Sequence, residues 1–142
     1  MKYTLKKTHW EKDKSALSAI RKKVFIEEQN VPEALEWDND DATCTHILVI
    51  DENNCPIATG RIKPEGHIGR MAVLKEHRHC GIGSAMLKEL ITVAKAQNLE
   101  KVYLHAQISA TGFYEKQGFI SCSEEFMDAG IPHKTMEKKL TP

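Results

Sequence analysis

Hydrophobic and polar positions alternate along this chain with two different periods, and the switches between them mark the elements. Residues 2–8 read as a short first strand, too polar to be central. From Asp13 to Glu28, Leu17, Ile20 and Val24, with Phe25 beside them, fall on one helical face, and Asp13 is a plausible N-cap. Pro32 opens a loop that runs through Asp41. The run Thr45-His46-Ile47-Leu48-Val49-Ile50 is β-branched and mostly apolar, as buried strands are. Asp51-Glu52-Asn53-Asn54 supplies turn chemistry, and Ile57 to Lys63 is the returning strand. After the turn Pro64-Glu65-Gly66 comes a strand from His67 to Leu74.

Ile82, Met86, Leu87, Leu90, Ile91, Val93 and Ala94 then form the apolar stripe of a helix ending near Gln97-Asn98. Lys101 to Ala106 is a strand and residues 109–117 a short helix stopped at Gly118. Phe119 to Cys122 and Lys134 to Leu140 are closing strands. The strand–helix–strand unit over 67–106 implies a right-handed parallel crossover. The expected architecture is α/β: one mixed sheet, antiparallel at the front and parallel at the centre, flanked by helices.

At 142 residues the expectation is one domain, 1–142, able to bury its own core. Lys plus Arg and Asp plus Glu are 20 each, so a general affinity for nucleic acid or for anionic membranes is not expected. No apolar run approaches the ~18 residues of a membrane span, and Met1-Lys2-Tyr3-Thr4 begins no signal peptide. Cys44, Cys55, Cys80 and Cys122 form no CxxC pair and read as free thiols of a cytoplasmic protein.

The chemically informative segment joins the strand ending at Leu74 to the strongest amphipathic helix. Gly81 and Gly83 at a helix N-terminus let backbone N–H groups approach a ligand, and with the helix dipole they make an anion site. Lys75, His77, Arg78 and His79 add positive charge. A phosphate or pyrophosphate is the natural guest. A dinucleotide fingerprint needs a third glycine where Met86 stands, and the Gly-Lys-Ser/Thr of a Walker loop is absent, so a nucleotide-phosphate binder is disfavoured. On the two glycines alone, a tight turn with incidental basic neighbours explains the segment equally well.

Arg78-His79-Cys80-Gly81-Ile82-Gly83 resembles the Q/R-x-x-G-x-G/A signature of the GNAT (Gcn5-related) N-acetyltransferases. Ala110-Thr111-Gly112-Phe113-Tyr114-Glu115-Lys116-Gln117-Gly118-Phe119 is similar to their A-x-x-x-Y-x-K-x-G-F block. The order of elements matches the GNAT fold from end to end. Arg21 to Gln29 and Gly130-Ile131-Pro132-His133 resemble a small bacterial ElaA-like branch.

The resemblance implies acetyl-CoA as cosubstrate, no metal, and transfer to a primary amine by direct attack in a ternary complex. It places pyrophosphate on the backbone of Arg78, His79, Cys80, Gly81, Ile82, Gly83 and Ser84. The strand Met71-Ala72-Val73 would splay from its neighbour to hold the pantetheine arm, with one N–H stabilising the oxyanion. Gln107 stands where many members carry Asn. Tyr114, with a free pKa near ~10, would protonate the departing thiolate. His79 and Cys80 replace the glycine that usually follows the arginine. Strand 67–74 carries no carboxylate for a general base, which leaves Glu28, His105 or water.

Plainer readings stand beside these. Tyr114 and His105 also suit structural roles, and His77-x-His79 lacks a third metal ligand. Cys80 sits where a thiol pKa falls, yet reads best as an inert neighbour of the cosubstrate. Trp10 and Trp37 read as packing residues. Arg61 and Arg70 either line the cleft or pair with nearby acids. Glu27, Glu28, Glu33, Glu36, Asp38, Asp40 and Asp41 lie in a stretch with no Lys or Arg. If they wall the acceptor side, they would steer a cationic amine inward. A non-catalytic acyl-CoA sensor and transfer of another acyl group are the rival functions, and a homodimer is compatible with all of them.

Overall fold

The meander expected between residues 45 and 73 forms, and it sets the frame for the rest. The computed structural model describes residues 2–140; Met1, Thr141 and Pro142, the ends of the expected 1–142 unit, lie outside the described residues. Strands β1 (Tyr3–Thr8), β2 (Thr45–Asp51), β3 (Pro56–Ile62) and β4 (Ile68–Val73) pair antiparallel in that order. A second antiparallel group has β5 (Lys101–Gln107) on one edge of β8 (Ile131–Lys139), with β6 (Ile120–Ser121) and β7 (Phe126–Asp128) on the other. The helices are α1 (Trp10–Arg21), α2 (Glu33–Glu36), α3 (Ile82–Ala96) and α4 (Thr111–Glu115).

Alternation along β2 decides which helix covers which face. Ile47 and Val49 meet Met86, Leu87, Leu90 and Ala94 of α3. Leu48 points the other way and packs with Leu17, Ile20 and Val24 of the first helical segment.

The parallel centre is narrower than the periodicity suggests. β4 and β5 meet at one parallel bridge, His67 to Tyr103, where the Tyr103 N–H donates to Gly66 O at 3.1 Å. The cause is a bulge in β4. Thr59 pairs with Ala72 but Arg61 pairs with Gly69, so Arg70 and Met71 together oppose Gly60. Such a bulge bends its strand, here away from β5. Arg70 takes φ +49°, which a non-glycine residue adopts only under constraint. A Cβ on Gly60 would sit 3.2 Å from Met71 Cγ and 3.3 Å from Leu90 Cδ1, so a side chain opposite the bulge would push both back by a few tenths of an ångström.

Other details depart from the sequence reading. α1 starts at Trp10 with His9 as N-cap; Asp13 lies inside it at φ −124° and accepts a 2.6 Å hydrogen bond from Thr8 Oγ1. That bond ties the helix start to β1. The segment Lys22–Glu28 continues as π-helix, closed by Gln29 N–H to Val24 O at 3.0 Å. Loop 32–41 contains α2 and leads into a 3₁₀ turn, Asp41–Thr43. β8 begins at Ile131, three residues before Lys134, and β7 was not foreseen. Ala129 (φ +53°) and Gly130 (φ +77°) make the two-residue turn that joins them.

Buried charge holds loop 33–41 in place. Arg21, 1 % exposed, donates from Nε to Glu36 at 2.8 Å and from Nη1 to Asp41 at 2.6 Å. Its guanidinium lies between the indoles of Trp10 and Trp37, 5.5 and 5.0 Å from the ring centroids. Arg61 donates to Asp41 at 2.8 Å and with both Nη atoms to Asp38. Arg70 donates to Leu35 O, Glu36 O and Asp38 at 3.2–3.3 Å; its Nε is 3.2 Å from Glu36 Oε2 but not aligned to bond. Burial raises the Asp38 and Asp41 pKa values, but the arginine hydrogen bonds outweigh it and both end below the usual range.

Since folding lowers these pKa values, the carboxylates stabilise the fold above their unfolded pKa, and that contribution is lost as pH falls through the folded values, below pH ~4. Arg61→Met should therefore cost ~3 kcal/mol or more in denaturant unfolding at pH 7 by leaving buried carboxylates short of a partner. Its deficit relative to the parent should shrink in the acid. An unchanged denaturation midpoint at pH 7 would show that the network is not structural.

Candidate active site

Leu74 follows β4, and a 3₁₀ turn, Lys75–His77, carries the chain toward α3. His79 (φ +64°) and Gly81 (φ +81°) turn the backbone sharply, with Gly81 as N-cap. A side chain at Gly81 would have open space around it, so the left-handed backbone is what requires glycine there. The first backbone hydrogen bond of the helix runs from Ala85 N–H to Gly81 O at 3.0 Å. The N–H groups of Ile82, Gly83 and Ser84 therefore precede the ladder and have no helical partner. The Ile82 side chain is buried in the core, and a Cβ on Gly83 would touch Phe113 Cζ at 3.5 Å. Cys80 is exposed, its Sγ 3.5 Å from Arg78 O.

Gln117 was not singled out in the sequence. Its Nε2 donates to Ser84 Oγ at 2.8 Å, while Lys138 Nζ donates to its carbonyl at 2.6 Å. The α4 segment thus braces the first turn of α3. No group of three or more metal-ligating side chains exists among the described residues, so His77 and His79 stand without a metal partner set.

Arg78 spends its side chain on partners within the protein. Nε donates to Val73 O at 2.9 Å and both Nη atoms donate to Glu28 at 2.6 Å. This fork, with burial opposing it, holds the Glu28 carboxyl below its usual range. Glu28 sits outside the cleft lining and is already satisfied, which makes it a poor proton acceptor, contrary to its standing as a base candidate.

Between β4 and β5, beyond the single bridge, opens a cleft of about 330 Å³. Gly69, Arg70 and Met71 form one wall; Leu104, His105, Gln107 and Tyr114 line the other. Ala72 points away into the first-helix core and Val73 packs at the edge of the α3 core, so neither side chain lines the cleft, and the Val73 carbonyl is taken by Arg78 Nε. Gln107 Nε2 donates to Gln29 Oε1 at 3.2 Å, joining the strand to the end of the π-helical segment. Register places Tyr103, His105, Gln107, Ile131, His133, Phe126 and Asp128 on a single sheet face, because His105 opposes Thr135, Gln107 opposes His133, and Phe126 opposes His133. That face turns toward the cleft.

Imidazoles dominate that wall. His67 stacks on Tyr103 at 4.7 Å and meets His105 edge-on at 4.7 Å. Burial, with His105 nearby, pulls the His67 pKa down to about 4. Burial also lowers His105; Asp128 pulls it up, while His133 and Lys63 push it down. His105 Nδ1 lies 3.0 Å from Thr135 Oγ1, leaving Nε2 free of that contact. Tyr114 has its pKa raised by burial alone, so its hydroxyl stays protonated at neutral pH.

The acidic stretch is a different object from the one its composition suggests. Glu36, Asp38 and Asp41 are turned inward onto Arg21, Arg61 and Arg70, Asp40 pairs with Lys63 at 2.9 Å, and Glu28 pairs with Arg78. Five of its seven carboxylates are thus neutralised, and the stretch is not a steering wall for a cationic amine. Arg61 and Arg70 do both things considered for them: they line the cleft and hold these acids.

Unpaired N–H groups at the start of α3 and an open β4 edge running from them into a cleft suit an extended ligand with a diphosphate at one end. A family model described as "Acetyltransferase (GNAT) domain" matches residues 9–140. The Bacillus subtilis protein named "Uncharacterized N-acetyltransferase YjcF" is 40% identical over 123 residues, 84% of this chain and 87% of that one. Among solved structures, Escherichia coli ElaA superposes with TM-score 0.82 at 28% identity, covering 95% of this chain and 99% of its own. An acyl-CoA N-acyltransferase from Pseudomonas aeruginosa has the same fold, with TM-score 0.87 at 24% identity over 96% and 99% of the two chains. The glycine turn, the parted strands and these matches agree: this chain belongs to the GNAT acetyltransferase family.

Proposed function

We propose that the protein transfers an acetyl group from acetyl-CoA to the primary amine of a small molecule or peptide by direct attack in a ternary complex, as one catalytic domain of the cytoplasm. The observation that carries this reading is the outer edge of β4, the last strand of its sheet, which ends before the turn into α3 and whose Gly69–Met71 stretch lines a cleft together with Tyr114. Bound acetyl-CoA supplies an activated thioester. The α3 N–H groups and helix dipole hold its pyrophosphate, and Arg78 keeps β4, the turn and Glu28 in register rather than offering its guanidinium to phosphate. Backbone groups of Met71, Ala72 and Val73 align the pantetheine arm, and an N–H there polarises the thioester oxygen.

Tyr114 gives its proton to the departing sulfur. Burial raises its pKa further above neutrality, so the phenol is protonated when the thiolate forms. His105, its pKa lowered by burial, is neutral at pH 7 and takes the proton of the attacking amine. A protein that only senses acyl-CoA has no use for this donor–acceptor pair in the cleft.

Gly83→Glu places a carboxylate at the pyrophosphate position and should abolish acetyl-CoA binding in calorimetry with little change in Tm. Retained affinity in the folded variant would remove the α3 terminus from the site. Tyr114→Phe should lower kcat by ~10²-fold with KM for acetyl-CoA nearly constant, the range of a lost general acid. The neutral form of His105 is the active one, so kcat/KM should rise with pH through an inflection below 6.5 and be flat from this group above pH 7. His105→Gln should erase that acid limb; a variant that keeps it would leave water as the base. Replacing acetyl-CoA by longer acyl-CoA thioesters tests the acyl group directly.

A further inference from the structure

Counting charges around the cleft leaves one group unanswered. Arg61 and Arg70 are committed to Asp38, Asp41 and the Glu36 loop, and Lys63 to Asp40. His67 and His105 are held neutral near pH 7. Asp128 also lines the cleft, is exposed to it, and has no ion pair among the described residues. It lies two residues beyond Phe126 on β7, hence on the same sheet face. Phe126 in turn packs edge-on against His105 at 5.4 Å and stacks on His133 at 6.0 Å. The turn of Ala129 and Gly130, and the pairing of Asp128 with Ile131, hold its backbone firmly beside the imidazole wall.

On the proposed transfer reaction, we infer that Asp128 anchors a positive charge on the acceptor, so that the acceptor is a small diamine or polyamine rather than a simple amine or an amino acid. The attacking nitrogen must be neutral when it reacts. A persistent attraction to Asp128 therefore calls for a second cationic centre on the same molecule. The free carboxylate and His105 share that face, which orients such a molecule with one ammonium at Asp128 and one amine toward the imidazole and the thioester. An acceptor bearing a carboxylate would meet repulsion from Asp128 and find the cleft arginines already occupied.

The test measures thiol release from acetyl-CoA with 1,4-diaminobutane, 1-aminobutane and 4-aminobutanoate, for the parent, Asp128→Asn and Asp128→Glu. The parent should show the lowest KM for the diamine, by about 5-fold or more over the monoamine, as one partly screened ion pair allows. Asp128→Asn should collapse that difference without altering KM for acetyl-CoA, and Asp128→Glu should restore part of it. Added salt should erode the preference in the parent and not in Asp128→Asn. A preference for 4-aminobutanoate, or a diamine preference that survives in Asp128→Asn, overturns the inference. If acetyl-CoA binds but none of the three amines is acetylated, the diamine assignment fails while transfer to larger acceptors stands. If acetyl-CoA does not bind, both readings fail.

Discussion

The bulge in β4 is the constraint on which the site depends. A regular β4 would pair with β5 along its length and close the sheet, leaving no open backbone. Two residues, Arg70 and Met71, set against Gly60 bend the strand away after one parallel bridge. The left-handed conformation of Arg70 costs of order 1–3 kcal/mol and persists only because its surroundings determine it. Those surroundings are the loop 33–41, whose Leu35 and Glu36 carbonyls and Asp38 carboxylate accept from its guanidinium. The same loop is held from the other side by Arg21 and Arg61. The buried ion network and the open cleft are therefore one arrangement: the first fixes the strained residue that creates the second.

Electrostatics in this molecule are mostly internal. Three arginines and three carboxylates satisfy each other between the first helix and the sheet, where an unpaired charge would be costly. Arg78 and Glu28 do the same across the strand-to-helix turn. With Arg61, Arg70 and Lys63 occupied by their acids, the β5 side of the cleft presents His67, His105 and Tyr114, with the carboxylate of Asp128 beside them. Such a wall suits proton transfer better than steering by bulk charge.

Much of the frame is legible in the sequence. The apolar runs of β2 and β3, the stripe of α3, and the glycines that turn into it have strong local signals, because each follows from backbone geometry or one-sided burial. The acids between Glu27 and Asp41 mislead for a physical reason. Their partners Arg21, Arg61 and Arg70 are 15 to 34 residues away in sequence, so composition shows the carboxylates without their cations. β7 is three residues long and its turn is Ala-Gly rather than Asn-Gly, so neither strand nor hairpin announces itself. Asp128 was missed with it. The grip of Arg78 on Glu28, 50 residues apart, likewise leaves no local signal in the sequence.

Amide hydrogen exchange with and without acetyl-CoA tests the central claim most directly. If the edge that β4 fails to share with β5 receives the cosubstrate, added acetyl-CoA should slow exchange within Met71–Val73 and at Ile82, Gly83 and Ser84. The amides of β1 and β2, already paired and distant from the cleft, should be unaffected. Protection of the α3 terminus without any change along Met71–Val73, or protection centred on the Trp10 and Trp37 side of the molecule, would contradict the account.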